Sequence, residues 1–381
     1  MNSEAGVSAV EGEVSRPRSR EWLARLALVS ISVAAAALAS EVALRVLGYR
    51  PERLPAMARV HDAEWTTLLD GYPSNPRGYF TIDLRTPEAH ARYQWLAPRR
   101  FDAIAQRAPF AVEFRYNGLR FRERPPDGKA SGRRRVAVVG DSFTEGQGVN
   151  EPDTYVRRLE SRLNAAEPGR WDVRNCARRA TDFPALDDVF AAAGQYEPDV
   201  VVYGMVLNDA ARAPEFEARQ GYVNDWILDH TRMQDGPPID PGLLDSRLWA
   251  FVSDRWEAQR IGRESTRWYR DMYGPPNAGG WALTQQSIRE MDRRTRARGA
   301  RFAVALWPLL VDLGPRYPFA EAHETIRRFC ATAGIPFVDL RAALAGHDVK
   351  ELWVHPLDHH PNEIAHQLAA EALLPLVQEE R

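Results

Sequence analysis

Apolar residues recur along this chain in two rhythms. Short unbroken apolar runs alternate with longer stretches whose apolar positions are three and four residues apart. Val136–Val139 reads as a short buried strand, Trp171–Asn175 as a second, and "PDVVVYGMV" (198–206) as the clearest central strand. Arg301–Trp307 and Ile335–Leu340 complete a set of five. Helices are predicted between them. Thr154–Asn164 carries Tyr155, Val156, Leu159 and Leu163 at helical spacing, and Ala185–Ala193, Thr284–Arg298, Ala320–Ala333 and Asn362–Val377 follow. Apolar strands separated by helices imply a parallel sheet covered on both faces, an α/β fold. In such sheets, sites form outside the carboxyl ends of the strands.

Three segments stand outside this series. Residues 51–132 are rich in Pro, Arg and aromatics; "FAVEFRYN" alternates as a strand does, and Asn117-Gly118 signals a hairpin turn. A small β-rich lead-in is expected, ending in a basic loop at Arg135. Residues 210–283 carry Trp226, Trp249, Trp256, Trp268, Tyr269, Tyr273 and Trp281, with a helix expected from about Leu244 to Met272. This reads as a helical insertion over the strand ends, its aromatics either anchoring it to the core or lining an acceptor groove.

The third segment is the N-terminus. A polar tail (1–21) with Arg16, Arg18 and Arg20 precedes an apolar stretch, 22–47. About 15 uncharged residues separate Arg25 from Glu41, short for a full span; the flanking apolar residues, with snorkelling arginines, extend it to a usable length. A single-pass anchor is expected, with the catalytic part exported, which is the periplasm in a Gram-negative cell. A cleaved signal peptide, with Ala37-Leu38-Ala39 as the cleavage site, and a soluble amphipathic helix are the competing readings.

Bulk composition adds limits. With 44% apolar residues the chain can bury a sizeable core, and a net charge of −2 gives no global basic field for nucleic acid. The two cysteines, Cys176 and Cys330, are far apart and read as free core thiols.

Candidate chemistry centres on "RRRVAVVGDSFTEGQGV" (133–149). It lacks the lysine and spacing of a phosphate loop, the third glycine of a dinucleotide turn, and the second glycine of a G-x-S-x-G elbow. What remains is a strand ending in Gly-Asp-Ser, with a helix expected about ten residues later. Ser142 then sits at a strand's carboxyl end with its hydroxyl exposed. A serine nucleophile needs a base, an orienting acid and oxyanion donors. Asp358 and His360 lie in "HPLDHHPNEIAHQ", expected as a loop before the last helix, and Asn208 sits just past the central strand with an amide able to donate.

Taken together, "VVGDSFTEG", "YGMVLND" and "DHHPNEIAH" occur in an order and at distances that resemble the SGNH (GDSL-like) hydrolase family, over about residues 134 to 377. The resemblance implies a three-layer α/β/α sandwich of flavodoxin-like type over 133–381. It implies Ser142, His360 and Asp358 as triad, with Asn208, Ser142 and the residue of the second block in the oxyanion hole. "NCARRATDF" offers Ala180 where that block usually has glycine. The spacing is D-x-H, where D-x-x-H is commoner, and His359 competes with His360 as base. The implied activity is a serine esterase acting on O-acyl esters, acetyl or another short acyl, of an exported carbohydrate or lipid, with no cofactor. An O-acyltransferase on the same triad and a non-catalytic scaffold are the alternatives. A metal site of the DHH phosphoesterase kind, from one carboxylate and three imidazoles in "HPLDHH", lacks the further domain such enzymes carry. His355 and His366 read as surface or packing residues, Asp141 and Asp209 as structural hydrogen-bonding groups. Arg178 and Arg179 read as solvated, with contact to an anionic substrate as the alternative.

Overall fold

A computed structural model describes residues 18–50, 57–74, 81–233, 242 and 245–379. Residues 1–17 of the expected tail (1–21), parts of the lead-in and most of 234–244 lie outside the described residues, as does the side chain of Trp226, while residues 18–21 of that tail join the first helix. The chain forms two compact units, Met1–Glu52 with Pro238–Gln259, and Arg53–Pro237 with Arg260–Arg381.

In the first unit, α1 (Arg18–Val46) holds an apolar stretch, Glu21–Val46, with no part of it buried. At 1.5 Å per residue it is about 39 Å long. It is long and apolar enough to be a membrane anchor or a signal sequence.

The second unit opens with an antiparallel sheet. Its strands β1 (Ala58–His61), β2 (Thr67–Tyr72), β3 (Ile82–Asp83) and, after α2 (Pro87–Arg92) and α3 (Pro98–Arg107), β4 (Phe110–Arg115) run in the order β1-β2-β4-β3. Both helices begin with proline, whose missing N–H costs nothing in a first turn. Side chains alternate along β2. Leu69 packs under the helices with Tyr93, Phe101 and Ile104. Leu68 and Tyr72 point the other way, into a cluster with Val112, Phe114, Val149 and Val354. The Asn117-Gly118 hairpin does not form. The Asn117 side chain instead accepts the N–H groups of Leu119 (2.9 Å) and Phe121 (3.1 Å), a local turn that leaves β4 paired with β2 and β3.

The main sheet is parallel throughout: β5 (Arg134–Gly140), β6 (Trp171–Ala177), β7 (Val200–Met205), β8 (Arg301–Leu306) and β9 (Phe337–Asp339), in the order β6-β5-β7-β8-β9. The helices between them are α4 (Ser142–Glu145), α5 (Tyr155–Ala166), α6 (Ala185–Ala193), α7 (Pro214–Met233), α8 (Arg247–Asp271), α9 (Ala278–Ala297) and α10 (Ala320–Ala333). Two single turns, α11 (Arg341–Leu344) and α12 (Val349–Leu352), lead to a hairpin, β10 (Trp353–His355) and β11 (Asp358–Pro361), and to α13 (Glu363–Gln378). From β5 the chain steps one way to β6 and the other way to β7 and beyond. Right-handed crossovers therefore put α5 on one face, packed with α13, and α6 with α9 on the other. This is the expected α/β/α sandwich. The strand order reverses at β5, the place where open sheets bind ligands.

Several local expectations are corrected. A helix begins at Ser142 itself, because Asp141 caps it, with Phe143 N–H donating to its carboxylate at 2.9 Å. α9 starts at Ala278, six residues before Thr284, because Asn277 lies on the turn that leads into it. Asp358 and His360 lie on β11, an ordered strand, since main-chain pairing with β10 takes up the segment. The basic run is not a loop ending at Arg135, since β5 begins within it at Arg134, and its charges are spent internally: Arg135 is buried against Asp172 at 2.7 Å, and Arg134 lies over the Trp171 ring. Arg179 is not solvated but paired with Asp70 and Glu145, while Arg178 donates to the Leu119 carbonyl. Both cysteines are buried and unpaired.

The serine turn packs tightly because glycine faces glycine. Gly140 on β5 is in register with Gly204 on β7. A Cβ on Gly204 would stand 2.5 Å from Thr144 Oγ1 and 2.6 Å from Tyr155 Oη, two hydroxyls already bonded to each other at 2.9 Å. Gly204→Ala is therefore expected to cost about 1–3 kcal/mol of stability, read as a lower midpoint in chemical denaturation. An unchanged midpoint would mean that α4 can lift away freely.

Candidate active site

Three strand ends converge on one edge of the sheet. Ser142 lies two residues past the end of β5, Ala180 three past β6 and Asn208 three past β7. Ser142 occupies the first turn of α4, where a backbone N–H has no acceptor within the helix. The turn after β7 is held by Asp209, whose carboxylate accepts Val206 N–H (2.9 Å) and Tyr203 Oη–H (2.7 Å). Asn208 Nδ2 and Ser142 Oγ each lie 3.4 Å from Asp141 Oδ2, so one buried carboxylate stands beside both. Ala180 is exposed and left-handed, with φ +55°, the region that glycine usually occupies.

The imidazole comes from the hairpin. Along β11 successive side chains point to opposite faces, so Asp358 and His360 share a face and His359 takes the other. D-x-H is thus a strand spacing. His360 Nε2 lies 2.8 Å from Ser142 Oγ, and its Nδ1 makes a short hydrogen bond with Asp358 Oδ1. His359 stacks on the Trp353 ring, centroids 3.8 Å apart, and bonds the Pro356 carbonyl. His355 is buried, bonded to Ser74 and accepting the Leu357 N–H. The three imidazoles therefore diverge. Among the described residues no group of three or more His, Cys, Asp or Glu is arranged to hold an ion. His366 is a packing residue: its Nδ1 accepts Tyr155 N–H at 3.0 Å, and burial pushes its pKa down to about 3. Asn362 caps α13, its side chain accepting the N–H groups of Ile364 and Ala365.

Two side chains not singled out in the sequence complete the group. Tyr72 Oη donates to Asp358 Oδ2 at 2.9 Å, and Gln147 Nε2 donates to the same oxygen at 3.1 Å. Gln147 lay within a motif read for its glycines and for Ser142. Tyr72 lay on an alternating strand remote in sequence, and no spacing links it to position 358.

Electrostatics follow from these contacts. Burial alone would raise the Asp358 pKa, but the charge of His360 and the hydrogen bonds from His360, Gln147 and Tyr72 hold it well below the usual carboxylate range. Burial alone would lower His360, but the Asp358 carboxylate outweighs it, and His360 lies above the ordinary histidine value. Burial pushes Asp141 up, and burial together with Asp141 pushes Asp209 up further. A hydroxyl on a helix N-terminus, a carboxylate-backed imidazole and nearby amide donors can together carry out acyl transfer.

Residues 138–368, more than half of the chain, match the GDSL-like Lipase/Acylhydrolase family. The chain belongs to the GDSL-like lipase/acylhydrolase family. Its chemistry is that of an SGNH-type serine hydrolase acting on ester bonds. No curated protein matches this hydrolase. Among solved structures, TesA is 18% identical, with 64% of this chain and 98% of that one covered and a TM-score of 0.38. A catalytic variant of Axe2, an acetylxylan esterase from Geobacillus stearothermophilus, is 15% identical, covering 66% and 98%, with a TM-score of 0.40. The psychrotrophic esterase EstA from Pseudoalteromonas sp. is 13% identical, covering 64% and 97%, with a TM-score of 0.36.

Two outcomes follow for this GDSL-like hydrolase. In an NMR titration, the His360 ring is expected to protonate with a midpoint above about 6.5, and Asp358→Asn should bring that midpoint below the ordinary value. A wild-type midpoint below it would mean that burial, not the carboxylate, governs the ring. Ala180→Gly relieves a left-handed alanine and is expected to add about 1 kcal/mol of stability, measured by denaturant unfolding. No gain would place the cost of that backbone elsewhere.

Proposed function

We propose that this hydrolase cleaves acetyl or other short O-acyl esters of an exported carbohydrate or lipid through an acyl-enzyme. The observation that carries the reading is the 2.8 Å contact between Ser142 Oγ and His360 Nε2, with Asp358 on the other ring nitrogen. Ser142 Oγ attacks the ester carbonyl carbon and its proton passes to His360 Nε2. Asp358 orients the ring and stabilises the imidazolium. The N–H groups of Ser142 and Ala180 and the Asn208 amide receive the oxyanion. His360 then gives its proton to the leaving alkoxide, and the acyl group stays on Ser142. Water, deprotonated by His360, attacks the acyl carbon; the bond from that carbon to Ser142 Oγ breaks, His360 returns the proton to Oγ, and the carboxylic acid leaves. The raised His360 pKa suits a ring that must take up a proton and give it back within each half of this cycle.

The apolar helix α1 supports the exported part of the reading, with the catalytic unit anchored on the extracytoplasmic side.

The test compares wild type and Ser142→Ala, as the full chain in detergent, on p-nitrophenyl acetate and on longer acyl esters. The alanine variant is expected to lose about 10³-fold or more in kcat/KM, and a fluorophosphonate probe should label wild type alone. Equal activity in the two proteins would remove Ser142 from the chemistry. A rise in acetate-ester turnover on adding a sugar acceptor, with acylated sugar as product, would mark transfer rather than hydrolysis.

A further inference from the structure

The tryptophans of 210–283 whose side chains are described divide by exposure. Trp268, Tyr273 and Trp281 are buried, but Trp249 is 72% exposed and Trp256 64%, with Val252 between them at 47%. Positions 249, 252 and 256 are three and four residues apart, so on α8 they form one stripe. An indole carries on the order of 200 Å² of largely apolar surface, and two of them open to water on one face mark a contact surface.

The compact unit that holds this stripe also holds α1, and the two are tied by specific bonds. Glu41, near the carboxyl end of α1, accepts from Ser246 Oγ (2.9 Å), Arg247 N–H (3.0 Å) and Leu248 N–H (2.8 Å). Its carboxylate therefore caps the start of α8. Arg45 donates to the Asp245 carbonyl, Tyr49 Oη to Asp254, and the Tyr49 ring meets Phe251 edge-on at 5.3 Å. Glu41 is also the first charge after the uncharged run that follows Arg25, and it lies in the last turns of the apolar stretch, which ends at Val46, near the polar boundary of a membrane helix. The first turns of α8 start at that boundary. Tryptophan is enriched at that depth, where the ring body meets acyl chains and the indole N–H meets water and headgroups.

We infer that the Trp249–Val252–Trp256 face of α8 seats in the headgroup layer of a lipid bilayer, beside the end of α1. The inference rests on α1 being a retained membrane helix. The first three turns of α8 then act as a second, lateral contact with the bilayer. Arg255, stacked on Phe251 at 3.8 Å, adds a cation near the phosphate groups.

The full chain is reconstituted into vesicles of phosphatidylcholine with a minority of phosphatidylglycerol, using lipids brominated near the top of the acyl chains. Tryptophan quenching is compared between wild type and the double variant Trp249→Phe/Trp256→Phe, whose exposed positions should leave the fold intact. Trp22, inside the apolar stretch, stays in both proteins as an internal reference. The quenchable share of the emission is expected to fall by about half or more in the variant. An unchanged share, with the chain still bound to vesicles, would put the stripe in water and overturn the inference while leaving the anchor intact. A chain that does not partition into vesicles at all would overturn the anchor and the inference with it. An unchanged share together with a drop in oligomeric state, seen by sedimentation in detergent, would assign the face to a second copy instead.

Discussion

The Asp358 carboxylate is the point where three stretches of chain, far apart in sequence, meet. It is buried, and a buried anion is costly unless donors surround it. Tyr72 arrives from the antiparallel sheet, Gln147 from the glycine turn after α4, and His360 from its own strand. With Nδ1 committed to the carboxylate, the ring presents Nε2 to Ser142. The acid thus sets the direction of the imidazole, and the imidazole sets where the hydroxyl's proton can go. Loss of either Tyr72 or Gln147 would leave the same charge with fewer donors, so the two act as positioning residues for the acid.

The glycine turn that carries Gln147 is itself held by a cation. Arg122 is buried and donates to the carbonyls of Gly146 (3.1 Å), Val149 (2.8 Å) and Glu113 (3.2 Å), with the Phe114 ring 4.0 Å below its guanidinium. Burial pushes its pKa down to about 10, which still leaves it charged at neutral pH. Arg179 also lies over the Phe114 ring, at 4.1 Å; Asp70 joins it to Arg59, and Arg59 reaches on to Gln147 Oε1 at 3.0 Å. Asp70 and Tyr72 lie on the same face of β2 because strand side chains alternate. One strand therefore serves the acid with a phenol and the second strand-end loop with a carboxylate. The sheet at 58–115 is a wall of the site rather than a leader to it.

The parts legible in the sequence are those set by local rules. Short apolar runs foretold the other strands of the parallel sheet, while β6, with Asp172, Arg174 and Asn175 among its residues, read only as strand-like; the helices Ala185–Ala193 and Ala320–Ala333 were placed to the residue. The segments that carry Ser142, Asn208 and Asp358 could be picked out because each follows or precedes such an element. What stayed hidden depends on contacts between distant positions. Tyr72 meets Asp358 across 286 residues and Gln147 does so across 211. Nothing in the spacing of either announces that pairing. The same holds for Arg135 and Arg179, which look like surface charges until their carboxylates arrive from elsewhere in the fold. Asn117 misled for the opposite reason. Its side chain satisfied the local turn by itself and left no demand for a returning strand.

Ala180 shows how such distant contacts bear on a local departure. A backbone N–H does not depend on the side chain, so exchanging glycine for alanine at this point keeps the donor and changes only the cost of its conformation. A left-handed alanine costs roughly 1–2 kcal/mol and persists only where its surroundings over-determine it. Here they do. Thr181 Oγ1 closes the turn on the Arg178 carbonyl at 2.7 Å, and Arg178 N–H returns to the Gly140 carbonyl at 3.1 Å. Arg179, next in the chain, is clamped between Asp70 and Glu145, the last residue of the serine helix. The charges that brace the glycine turn therefore also hold the strained loop. Weakening Asp70 would loosen the Ala180 N–H and, through Arg59, the Gln147 side chain on the acid, which couples the two halves of the site through one buried carboxylate.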